Sequence, residues 1–100
     1  MTEYTGSIEK ISLHNNNGND KVVIHLNILG HVPRAMANYV SNTLFVEFQG
    51  SNIKKTKNFR EGDEVCIGCY HNGKVSKLGR LYNNIVGYRI KPINNYQDGQ

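Results

Sequence analysis

The sequence predicts a mainly β domain, five strands closing into a Greek-key barrel with at most one short helix. Three observations carry this. Apolar and polar residues alternate in five separate stretches, the period-two signature of half-buried strands. Gly, Asn, Asp and Pro collect between those stretches, where they suit turns. The chain of 100 residues has room for one domain and for no long helix between its strands.

The first strand covers residues 4–13. Its alternation slips between Ile8 and Ile11, which marks a β-bulge and lets one strand bend to serve two sides of a barrel. Residues 14–20, His-Asn-Asn-Asn-Gly-Asn-Asp, read as a turn. In the second strand, residues 21–29, Val22, Ile24, Leu26 and Ile28 make a core face, with Val23, His25, Asn27 and Leu29 opposite. Gly30-His31-Val32-Pro33 interrupts the pattern. The segment 30–42 is either an irregular loop or a helical turn after Pro33, since Met36, Tyr39 and Val40 have helical spacing.

The clearest strand is residues 42–50, where Leu44, Val46 and Phe48 alternate with Phe45, Glu47 and Gln49. Residues 51–59 are polar and basic and hold at most two helical turns. Arg60-Glu61-Gly62-Asp63 is a turn into a fourth strand, 64–70, in which Val65, Ile67 and Cys69 share a face. Residues 71–80 form a hairpin loop with Asn72-Gly73 as its turn dipeptide. The last strand is 81–93, so the domain spans 1–93 and leaves a polar tail, 94–100.

Apolar residues make up 38% and charged residues 20%, values of a soluble globular chain. No run approaches the roughly 20 apolar residues of a membrane span. The start has no basic stretch followed by an apolar one, so neither a secretory signal nor a membrane is expected, and the expected location is cytoplasmic. The net charge of +4 is unevenly placed. Residues 1–50 sum to −1 and residues 51–100 to +5, so the second half attracts a polyanion. Fourteen asparagines are compatible with the A/T-rich coding of a bacteriophage or a low-G+C bacterium.

Cys66 and Cys69, with His71 nearby, raise a zinc site and dismiss it. Positions three apart on a strand point to opposite faces, and no second cysteine pair completes four ligands. Cys69 reads as a small core residue. No phosphate-cradling glycine loop and no nucleophile with an evident base is present, so no enzyme, cofactor or small-molecule substrate is expected. Glu61, Asp63 and Glu64 read as a solvated turn.

Leu44-Phe45-Val46-Glu47-Phe48-Gln49-Gly50, a basic segment, and then Phe59-Arg60-Glu61-Gly62-Asp63-Glu64-Val65 resemble small OB-fold proteins that bind single-stranded DNA. The stretch from Gly79 to Ile90 is similar to their final strand. The likeness is greatest to compact, tail-less versions from bacteriophages and Bacteroides-type bacteria. Leu81 and Tyr88 stand where such proteins often carry tryptophan, and the end, Tyr96-Gln97-Asp98-Gly99-Gln100, lacks an acidic recruiting tail. The resemblance implies sequence-tolerant binding of single-stranded DNA in replication or recombination, as a homo-oligomer. Two other readings stay open: an OB-fold protein-interaction or assembly module, and an RNA-binding OB protein.

Binding a single strand requires cations along its backbone and flat side chains under its bases. The expected cations are Lys74, Lys77 and Arg80 in the hairpin loop, Arg34 in the loop after the second strand, and Lys54, Lys55 and Lys57 beside Arg60. The hairpin-loop set is preferred, because that loop walls the groove of an OB fold. If Leu44, Val46 and Phe48 point inward, Phe45 points out and is the expected stacking platform, with Tyr70 also outward. Tyr39 and Tyr82 are further candidates, both near loops. Tyr88 is expected in the core, since Ile90 shares its face. Glu47 is unfavourable beside phosphates, which argues for bases at that point.

Overall fold

β1 (Thr2–Asn16), β2 (Asn19–Asn27), β3 (Thr43–Gln49), a 3-10 helix (Gly50–Thr56), β4 (Glu64–Val75) and β5 (Leu81–Pro92) follow in the predicted order. They are seen in a computed structural model that describes residues 2–16, 18–28 and 43–93, with Asn16 described in its backbone alone. Arg34, Tyr39, the rest of the 30–42 segment and the tail 94–100 lie outside the described residues. The sheet closes in the order β1-β2-β3-β5-β4. Neighbours are antiparallel except β3 and β5, which run parallel. This is the predicted five-stranded barrel, with one short helical segment.

The predicted bulge is what closes it. Residues 2–7 of β1 pair with β4 and residues 7–16 with β2, and the register shifts between Ile8 and Lys10. The turn at 60–63 ties this bend down. Ile8 donates its backbone N–H to the Asp63 carbonyl at 2.9 Å, and the Gly62 N–H donates to the Ile8 carbonyl at 2.8 Å. Gly6 leaves room for the end of β2: a Cβ there would lie 2.3 Å from the Asn27 carbonyl oxygen.

The alternating faces assign the core. Ile24, Leu26, Val46, Phe48, Val65, Ile67 and Cys69 are fully buried, and Ile8 and Val22 join them. The Phe48 ring reaches β5 at Gly87, where a Cβ would lie 2.5 Å from its Cζ. Ile53 of the 3-10 helix packs on the same cluster. Thr56, buried at the end of that helix, donates its hydroxyl to the Ile53 carbonyl at 2.7 Å.

Three expectations need correction. First, the turn expected at 14–20 is far shorter, because β1 runs to Asn16 and β2 resumes at Asn19. His14 and Lys21, like Asn15 and Asp20, pair across the ladder, so ladder hydrogen bonds override turn-prone composition. Second, Asn72-Gly73 is not a turn. Both residues continue β4, opposite Asn84 and Asn83. The chain reverses instead at residues 76–80, where the Ser76 N–H donates to the Arg80 carbonyl at 2.8 Å. The Ser76 hydroxyl oxygen accepts from the Arg80 N–H at 3.0 Å, and Gly79 supplies the positive φ of 82°. Third, Tyr88 leaves the core. The β4–β5 register shifts between Gly68 and Cys69, so Cys69 faces Gly87 while Gly68 faces Arg89. The Tyr88 ring then lies over the outer face of Gly68, whose Cβ would sit 3.1 Å from the tyrosine Cζ.

Candidate functional site

The strand registers place one row of outward side chains across the whole sheet. Ser12 is opposite Val23, Val23 opposite Glu47, Glu47 beside Val86, and Val86 opposite Tyr70. Val23 and Val86 are buried yet stand apart from the core cluster, so they floor this outer face. The next row begins with Lys10, His25 and Phe45, and two residues back from Val86 and two on from Tyr70 bring Asn84 opposite Asn72. A third pair, Lys74 opposite Tyr82, carries the face onto the part of β4–β5 that leaves the barrel.

Phe45 points outward as expected and is 56% exposed. Its edge meets the His25 ring at 85° with centroids 5.0 Å apart, which holds the phenyl group upright on the sheet. His25 is held in turn, its Nε2 lying 3.1 Å from the Ser12 hydroxyl, which also lies 3.2 Å from the His14 Nε2. Glu47 is compensated: Lys21 lies 3.4 Å from its Oε1, and Gln49 donates to the same oxygen at 3.0 Å. The repulsion expected between Glu47 and phosphate is therefore reduced at short range.

A cleft of about 690 Å³ lies at one border of this face. It is lined by Gly18 to Lys21 of the β1–β2 turn, by Gln49, Gly50 and Ile53, and by Lys74. Lys74 thus joins the β1–β2 turn in one concavity, although about fifty residues separate them in sequence. Beyond Lys74, the reversal presents Lys77 and Arg80, both exposed. No carboxylate side chain occurs between Glu64 and Asp98, so every charge on this projecting pair is positive.

The structure divides the sequence candidates. Phe45, Tyr70, Lys74 and Tyr82 share the outer face, with Lys77 and Arg80 at its projecting end. Lys54, Lys55 and Lys57 belong to the 3-10 helix and its end, and Lys55 donates its Nζ to the Tyr88 carbonyl at 2.7 Å. That bond gives Lys55 a structural contact of its own. Arg34 and Tyr39 lie outside the described residues. His25, Ser12, His14 and Lys21 join this face without a binding motif in the sequence to single them out. Alternation had already put His25 outward, but only the pairing of β1 with β2 brings Ser12 and His14 to it.

The two thiols lie on opposite faces of β4. Cys66 is half-buried, whereas Cys69 is in the core, where burial pushes its thiol above its ordinary pKa of 9.0. Among the described residues no group of three or more His, Cys, Asp or Glu is placed to hold a metal ion. No described helix is long and apolar enough to cross a membrane. Compared with protein-family models and with curated proteins, the chain finds no match.

Proposed function

We propose that this barrel binds single-stranded DNA along its outer face, with little sequence preference and without chemistry on it. One observation carries the reading: an exposed aromatic ring, Phe45, stands on the outer sheet face beside His25, and that face leads on to Lys74, which lines an open cleft with the β1–β2 turn. Bases of any identity stack on such a ring, and cations that follow the groove neutralise the backbone. Lys74, Lys77 and Arg80 provide those cations, and Tyr70 and Tyr82 extend the aromatic surface. The pairing of Glu47 with Lys21 makes the centre of the face tolerant of a polyanion.

A role in coating single strands during replication or recombination follows, with a homo-oligomer as its working form. Fluorescence anisotropy on oligo-dT, on the matching oligo-U and on blunt duplex tests the reading. Oligo-dT is expected to bind most tightly, with affinity falling as salt rises. Equal, weak binding to oligo-dT and duplex at moderate salt overturns it. Tighter binding of oligo-U makes RNA the ligand. Binding of oligo-dT that survives neutralisation of Lys74, Lys77 and Arg80 moves the site elsewhere.

A further inference from the structure

Past the barrel, among the described residues, β4 and β5 pair only with each other. β1 last pairs with β4 at Cys69, and β3 meets β5 at Ile85 and Val86. Residues 70–75 and 81–84 therefore form a two-stranded arm, which at ~3.3 Å per residue extends roughly 20 Å. One face, with Tyr70, Lys74 and Tyr82, continues the outer face proposed above for the single strand. The other face is different. Val75 and Leu81 are cross-strand partners, 68% and 80% exposed, and Leu78 at the reversal is 87% exposed. A hollow of about 360 Å³ at this end of the arm is lined by Gly73, Val75, Leu81 and Asn83 together with Lys74 and Tyr82, so it borders both faces of the ribbon. Gly73 leaves its floor open, since a Cβ there would meet only Asn83 Oδ1, at 3.6 Å.

Resting on the single-strand reading, we infer that this second face receives the end of a duplex, so that the protein recognises single-to-double-strand junctions. The terminal base pair of a duplex presents a flat apolar face that interior pairs do not, and apolar side chains, leucine among them, contact base faces when they wedge between base steps. Charge complementarity selects the same partner. Lys77 flanks Leu78, Arg80 flanks Leu81, and no acidic residue lies on the arm, so phosphates beside the end pair meet cations only. A second copy of the chain fits less well. Three aliphatic side chains offer on the order of 300 Å², against about 800 Å² per partner for a stable interface, and two arms would bring like charges together. The single strand would leave the outer face at Tyr82 and pass to the duplex at Leu78, the two faces of one ribbon dividing the two forms of the ligand.

The test compares an oligo-dT tail of about 16 nucleotides, the same tail joined to a hairpin duplex, and the blunt hairpin, with 2-aminopurine in the closing pair. The tailed hairpin should bind about tenfold more tightly than the tail, as one stacking contact allows, and the 2-aminopurine emission should change on binding. The double variant Leu78→Ser, Leu81→Ser should bind the tail like the wild type and lose both the preference and the emission change. These side chains are exposed, so the variant should fold, which thermal unfolding checks. Equal wild-type affinity for tail and tailed hairpin overturns the inference while leaving single-strand binding intact. A change in solution mass of the variant, or its loss of binding to anionic lipid vesicles that the wild type holds, also overturns it, in favour of a second copy or a membrane. Absence of any oligo-dT binding overturns both readings.

Discussion

Within the one strand pair β4–β5, residues 65–69 line the barrel and residues 70–75 run past it. Residues 65–69 alternate, residues 70–75 are mostly polar, and the one aliphatic residue among the latter, Val75, falls on the same side of the ribbon as Val65, Ile67 and Cys69. Val65, Ile67 and Cys69 have no exposure, whereas Val75 is 68% exposed and its partner Leu81 80%. For these aliphatic side chains the difference comes from neighbours: among the described residues β1 ends its pairing with β4 at Cys69, and β3 meets β5 only at Ile85 and Val86. Alternation assigns a side chain to a face; a second and third strand decide whether the face is covered. The barrel half therefore carries stability, and the arm half keeps its side chains exposed.

Two glycines give the sharpest way to break the comparison. Gly87→Ala drives a methyl into the buried Phe48 ring and should cost about 3 kcal/mol in urea unfolding. Gly73→Ala, on the arm, should stay within about 0.5 kcal/mol of wild type. Similar losses for both would mean that the arm is part of the cooperative core.

Function should separate in the opposite sense. Replacing Lys74, Lys77 and Arg80 with alanine should lower the salt slope of oligo-dT binding by about 2 and the affinity near 0.1 M salt by about a hundredfold. Its thermal unfolding should be nearly unchanged. Phe45→Ala tests the barrel's outer surface, with an expected loss of about 1.5 kcal/mol in oligo-dT binding, roughly tenfold, and no loss of stability.

The smallest effect belongs to Cys69. Because burial raises its folded pKa above the ordinary 9.0, the native state holds the thiol proton where the unfolded chain releases it. Its contribution is intact below pH 9 and is lost as pH rises through the folded pKa. Urea unfolding should show a shallow extra alkaline loss in the wild type that is missing from Cys69→Ala. An identical alkaline slope in both would place the thiol in water when folded.

Much of the fold was legible because its signals are local. The slip between Ile8 and Ile11 located the bulge, and the alternation around Phe48 sorted core from surface, so Phe45 was recognisable as an outward ring. The rest failed where a local signal was overruled. Asn72-Gly73 is a strong turn dipeptide, yet the Ser76 hydroxyl and Gly79 close the turn further on and the ladder runs through Asn72. Tyr88 shares a period with Ile90, but the register shift at Gly68 sends its ring outside.

By itself, the sequence determined the number and order of strands, the faces of the barrel strands, the bend in β1 and the positive charge of the second half. Those depend on spacing along the chain, which the pleat turns directly into sidedness. Tertiary structure alone decided how far β4 and β5 outrun their neighbours, that Ser12 and His14 gather at His25, and that Lys74 shares a cleft with the β1–β2 turn. Each of these depends on which strands end where, and the ends are set by pairing between residues far apart in the chain.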